Sequence, residues 1–133
     1  MKKISLAAAL WAVAVVSVTL VAQPPKSVNE GVYTAAQAER GASSFTASCT
    51  ACHDTSRFIG KDFLSTWTGK SVHVLFDHIH TTMPEDNPSS LKPQQYADIV
   101  AYFLQLNGYP EGNEELPSVA ETLKGIRFET KAK

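Results

Sequence analysis

The sequence predicts a small all-α domain, and three observations carry that expectation. Apolar residues recur at three- and four-residue intervals in three separate stretches, the spacing that lines one face of a helix. Helix-starting residues stand before these stretches. The chain has 133 residues, the size of one domain, with no internal repeat and no low-complexity run.

The chain opens on a different kind of segment. Lys2 and Lys3 precede an apolar run from Ile4 to Val21, interrupted only by Ser5, Ser17 and Thr19, and the small Ala22 stands before Gln23-Pro24-Pro25. This pattern reads as a secretory signal peptide over 1–22, cut after Ala22. The competing reading is an uncleaved anchor, since about 18 apolar residues can span a bilayer. Cleavage would leave ten basic residues against thirteen acidic, a formal charge of −3. No nucleic-acid footprint is visible in such a balance.

Residues 23–32 hold two prolines and no periodicity, and read as a flexible lead-in. Thr34-Ala35-Ala36-Gln37 matches a capping box that starts the first helix. Ala38, Ala42 and Phe45 share one face of that helix. Gly41 costs about 1 kcal/mol relative to Ala in mid-helix, and its lack of a side chain invites another helix to approach. Thr55 to Lys70 reads as a loop with one helical turn at Asp62 to Thr66. Its Phe58, Ile59, Phe63, Leu64 and Trp67 are too apolar for a solvated loop. Ser71 begins a second long helix with Val72, Leu75, Phe76 and Ile79 as its buried stripe. Glu85 to Ser90 is a turn segment. Pro93 opens the next helix, where a missing N–H costs nothing. In that helix Tyr96, Ile99, Val100 and Phe103 mark the inner face, while Asp98 and Gln105 look outward. Asn107-Gly108 closes it. Beyond an acidic loop from Glu111 to Leu116, Ser118-Val119-Ala120-Glu121 matches a second capping box for a short helix to about Lys124. Ile126 and Phe128 are expected to dock on the body.

The chemistry sits between the first two helices, in Cys49-Thr50-Ala51-Cys52-His53. Two cysteines separated by two residues and followed by histidine form the attachment motif of a c-type haem. Each thiol can add to a haem vinyl group, and the His53 imidazole then sits where it can bind the iron. Both cysteines of the chain lie in this motif, so none remains for a disulfide or a zinc site.

A haem held by His53 needs a sixth ligand or leaves an open position. Met83 would be the only methionine once the first 22 residues are removed. Pro84 biases it to an extended backbone, which ends the helix there. A thioether suits haem iron in an electron carrier and raises its potential. His78 and His80 compete with it, and either would give bis-histidine ligation at lower potential. His73, Asp77 and His80 also share a helix face, a spacing that can hold a metal but more commonly marks a solvated polar face. Trp67, if buried, needs an acceptor for its indole N–H, and a haem propionate is one candidate.

Cys49 to His53 resembles the haem site of class I monohaem cytochromes c. The likeness spans Val32 to Tyr109, where first helix, haem motif, methionine segment and Asp98-Ile99-Val100-Ala101-Tyr102 follow in the family's order. It implies a helical domain over 33–110 wrapped around one haem c attached through Cys49 and Cys52, with a C-terminal extension over 111–133. His53 and Met83 would be the iron's axial ligands, and Gly41 and Phe45 would meet Ile99 and Tyr102. The expected role is electron transport in the periplasm rather than catalysis. Phe63 to Leu91, with Thr82-Met83-Pro84-Glu85-Asp86-Asn87-Pro88, is also similar to the cytochrome c units associated with quinoprotein dehydrogenases. That narrower likeness implies redox partner proteins, a periplasmic alcohol or sugar dehydrogenase as donor and a terminal oxidase as acceptor. The dense lysine ring of the mitochondrial type is missing. Two other classes compete. A haem sensor or peroxidase-like protein would leave the distal ligand displaceable, with His78 and His80 close by. A thiol–disulfide enzyme would use Cys49 and Cys52, but no strand-rich pattern precedes them and His53 would have no use.

Overall fold

A computed structural model describes residues 26–131. The segment read as a signal peptide lies outside the described residues. Among them the chain forms β1 (Lys26–Ser27), α1 (Ala35–Ser48), α2 (Gly60–Trp67), α3 (Val72–Thr82), α4 (Pro93–Leu106), α5 (Ala120–Lys124) and β2 (Ile126–Arg127). Single three-ten turns occupy Val28–Glu30 and Thr55–Phe58. The fold is mostly helical, as the periodicity predicts. The exception is one parallel pair of two-residue strands, Lys26 opposite Ile126 and Ser27 opposite Arg127.

Thr34 caps α1 by accepting from the Gln37 amide at 3.1 Å. The reciprocal half of the expected capping box is not made, because Gln37 turns inward and is fully buried. Its side chain accepts from the Leu116 amide at 2.7 Å and donates to the Leu116 carbonyl at 2.9 Å. It also donates to Asp98 at 3.1 Å. Asp98 is a correction to the sequence reading: it is 4 % exposed, not outward-facing. A buried carboxylate is tolerable only when paired and hydrogen-bonded, and Gln37, Gln94 and Arg40 supply those partners. Arg40 reaches on to Glu115 at 2.9 Å. Its hydrogen bonds to Asp98 and then to Glu115 hold the guanidinium above its ordinary pKa.

This network sits where α1 crosses α4. The buried residues of α1 are Gln37, Ala38, Gly41 and Phe45, so Gly41 replaces the expected Ala42 in the stripe. A Cβ on Gly41 would lie 1.9 Å from the Asp98 carbonyl oxygen and 2.9 Å from Tyr102 Cβ. Phe45 packs against Tyr102 and Phe103, at centroid distances of 5.8 and 5.7 Å.

Between the crossing helices and α3, the chain is more helical than its local sequence suggests. The stretch read as a loop holds all eight residues of α2. Asn107, at the end of α4, reaches across to donate to the Phe58 carbonyl at 2.8 Å and accept from the Gly60 amide at 2.9 Å. That long-range bracket supplies the α2 N-terminus with the partner its own residues lack. α3 buries Val72, Leu75, Phe76 and Ile79, the stripe that the spacing predicts.

Both ends of the described chain fold onto this frame. From Lys26 the segment read as a flexible lead-in belongs to the body: Ser27 and Glu30 form a capping box, and Val28 is fully buried. The second capping box predicted in the sequence is absent. Val119 is the α5 N-cap residue, and no side chain caps it. Leu116, Leu123, Ile126 and Phe128 are buried. Phe128 packs on Phe63 and Tyr109, and its backbone bonds Gly69 and Lys70 at 2.7 and 2.9 Å. No helix among the described residues is long and apolar enough to cross a membrane.

Two substitutions test this packing. Gly41→Ala improves intrinsic helix propensity, yet it should lower stability to urea by about 1–3 kcal/mol through overpacking at the crossing. A stabilised variant would contradict the close approach. Phe128→Ala should cost about 3–5 kcal/mol, against almost nothing if the C-terminal segment merely lay on the surface.

Candidate functional site

α1 delivers the chain to Cys49, whose amide still bonds the Phe45 carbonyl at 2.8 Å. The helix stops there, and the Cys49 carbonyl accepts from the amides of both Cys52 and His53, at 3.1 and 2.9 Å. This tight turn gathers the three motif residues at one end of α1. Cys49 is half-buried and Cys52 exposed. Burial pushes the Cys49 thiol above its ordinary pKa.

His53 meets Phe58 edge to face, with ring centroids 5.6 Å apart. Phe58 in turn stacks on Phe103 of α4 at 4.4 Å and an interplanar angle of 9°. The apolar loop residue thus braces the imidazole against the core, a role the sequence did not reveal. The Nδ1 atom of His53 is buried and has no hydrogen-bond partner among the described residues.

At the far end of α3, Met83 is the C-cap residue, with φ −127° and ψ 149°. The extended backbone expected before Pro84 is therefore present. Its amide bonds the Ile79 carbonyl at 3.0 Å, and its carbonyl accepts from the Tyr96 hydroxyl at 2.7 Å.

Cys49, Cys52, His53 and Met83 all line one cavity of about 780 Å³. Phe58, Phe63, Leu75, Ile79, Ile99 and Phe103 form apolar walls, while Arg57, Asp62, Glu85 and Asp86 are its charged lining residues. The volume lies in the range of cofactor cavities. A large apolar ring with an iron at its centre fits this lining, and the donor set of two thiols, an imidazole and a thioether suits a haem.

The rival ligands separate. His78 lines the cavity beside Trp67, their rings 5.8 Å apart. His80 is not among the lining residues; it stacks on Phe76 and meets Tyr96 edge to face at 4.9 Å. Among the described residues no group of three or more His, Cys, Asp or Glu side chains could hold a metal ion, so His73, Asp77 and His80 do not form the metal site their spacing allows. Trp67 also lines the cavity, and Lys70 Nζ lies 5.2 Å from its ring centroid. Two residues of the site escaped sequence reasoning: Asn107, which brackets Phe58 and Gly60, and Tyr96 as a partner of Met83. A buried tyrosine demands a hydrogen-bond partner, but the sequence does not say which.

No curated protein and no solved structure gives a match to the chain. The profile of the family described as cytochrome c oxidase, cbb3-type, subunit III matches residues 36–103, from the first turn of α1 through Phe103 of α4. That span takes in the crossing helices and every residue of the cavity wall singled out above, so the chain belongs to this family of cytochrome c domains, whose chemistry is electron transfer through a c-type haem.

Proposed function

We propose that the protein is an exported one-electron carrier that holds one haem c through Cys49 and Cys52, with His53 and Met83 as axial ligands. The observation that carries this reading is the convergence of those four side chains, drawn from two segments 30 residues apart in the chain, on a single apolar cavity. When bound, the haem supplies an iron that gains and loses one electron. Cys49 and Cys52 tether it beside the α1 terminus. His53 is held in place by Phe58, and Met83 by its extended backbone and by Tyr96. With His53 and Met83 both holding the iron, small molecules would be kept off the metal, and the mainly apolar lining would limit contact of the ring with water. Thioether ligation would favour a raised potential.

The signal-like N-terminus supports a periplasmic location, where haem attachment in such proteins is expected. The likeness of Phe63 to Leu91 to cytochrome c units of quinoprotein dehydrogenases supports a periplasmic dehydrogenase as donor. The same likeness implies a terminal oxidase as acceptor. Arg57, Asp62, Glu85 and Asp86 give the cavity lining more negative than positive groups, which favours partners with basic docking faces over acidic ones.

A second reading, a haem sensor or peroxidase-like protein, draws support from His78, the other imidazole on the cavity. Carbon monoxide separates the two. The carrier reading expects covalent haem after periplasmic expression, the weak red charge-transfer band of methionine-ligated ferric haem, and a reduced form that does not bind carbon monoxide at neutral pH. Ready binding would overturn closed six-coordination. Met83→Ala should abolish the red band, open the iron to carbon monoxide and lower the potential, with the covalent link intact. Cys49→Ala with Cys52→Ala should leave no haem attached after denaturation.

A further inference from the structure

Nine residues, Met83 to Leu91, form the loop that leaves α3 and enters α4. One oxygen atom holds both of its ends. The Tyr96 hydroxyl donates to the Met83 carbonyl at 2.7 Å and accepts from the Leu91 amide at 3.4 Å. Inside the loop the Asn87 amide bonds the Pro84 carbonyl, and Ser89 Oγ donates to the His80 carbonyl. Neither of those bonds reaches Met83. The only side chain that holds the Met83 backbone among the described residues is Tyr96.

Tyr96 is placed rigidly enough to act as such a restraint. It is 1 % exposed, its ring is enclosed by Phe76 and His80 in edge-to-face contacts at 6.4 and 4.9 Å, and it lies on α4, whose position is set by the α1 crossing. The phenol therefore relates the extended Met83 segment to the best-packed helix of the domain. Met83 itself is only half-buried, and the residues after it, from Glu85 to Ser90, are exposed. Without an anchor at its base, an exposed loop of this kind opens at little cost.

The geometry points to Tyr96 as a positioning residue that keeps the Met83 side chain at the cavity, so that its hydroxyl governs how readily another ligand replaces the methionine. This rests on the reading of Met83 as axial ligand. Tyr96 touches neither metal nor partner in this role. It acts through the backbone of the ligand-bearing residue, and His78 lines the same cavity as another imidazole that could take the place of Met83.

The test uses the haem-loaded protein and imidazole as the competing ligand, titrated against the ferric form and followed by the shift of the main haem absorption band in all variants, with loss of the red charge-transfer band as a check in those that keep Met83. Four proteins are compared: wild type, Tyr96→Phe, Met83→Ala and the double variant. Tyr96→Phe keeps the ring and its contacts and removes only the hydroxyl, and far-UV circular dichroism checks that the fold is unchanged. A net hydrogen-bond contribution predicts imidazole binding about three- to tenfold tighter in Tyr96→Phe than in wild type. In the Met83→Ala background the same change should alter imidazole affinity by less than about twofold, because the competition it modulates is gone. Equal tightening in both backgrounds would mean general loosening of the cavity and would overturn the proposal, as would wild-type affinity in Tyr96→Phe. Failure of the underlying ligand reading has its own signature: a Met83→Ala protein that binds imidazole no more tightly than wild type.

Discussion

The structure depends on the approach of two helix backbones at Gly41. No side chain fits between that residue and the Asp98 carbonyl, so α1 and α4 meet closer than any other residue at position 41 would allow. The contact fixes where both helices point. α1 ends at Cys49 and sets the haem motif at its terminus. α4 carries Tyr96, Ile99 and Phe103 to the cavity and then Asn107 to the start of α2. Polar groups reinforce the crossing rather than oppose it. Asp98 is buried in it with three side-chain partners, and through Gln37 and Arg40 the same network takes hold of Leu116 and Glu115. Leaving a buried charge unpaired would cost several kcal/mol, so the network selects one register for the crossing as well as stabilising it.

Much of this frame was legible because it is periodic. The α3 stripe of Val72, Leu75, Phe76 and Ile79 follows from spacing alone, since a helix that packs on one side must repeat its apolar residues that way. Pro93 at the α4 start and Gly108 after its end follow from rules about single residues. The failures share a cause. Asp98 looked outward by polarity, and Gln37 looked like half of a cap, but each is claimed by a partner 58 to 79 positions away in the chain. α2 was underestimated because its N-terminus is satisfied by Asn107, 47 positions later. Lys26 and Ser27 gave no signal because a two-residue strand is too short to show alternation and exists only beside Ile126 and Arg127. Sequence patterns report on bonds a residue makes near itself. They are silent on bonds the fold supplies.

The site divides along the same line. The Cys49-to-His53 motif is local, and it reads from five residues alone. Met83 was accessible through its proline and its rarity. That all four face one cavity is a tertiary fact, as is the exclusion of His80, which shares a helix with Met83's neighbours yet spends its ring on Phe76 and Tyr96. Equally tertiary is the environment of Cys49. Its thiol is half-buried, and that burial raises its pKa above the ordinary value, a setting that spacing cannot reveal.

The segment after α4 has a consequence for the site although it contributes no ligand. Phe128 presses on Phe63, and Phe63 is a wall of the cavity. The backbone of Phe128 bonds both Gly69 and Lys70, which follow α2 directly, while α5 lies against α3. The same strap is tied at its beginning to Gln37 of α1 and at its end to β1. It therefore spans from the helix that precedes the haem motif to the two helices that carry Trp67 and Met83. α1 and α4 alone hold the cavity from one side. The strap holds α2 and α3 from the other, and this explains why its buried residues, Leu116, Leu123, Ile126 and Phe128, are as fully enclosed as those of the central helices. The C-terminal segment thus acts from outside the cavity, by covering the outer faces of elements that line it.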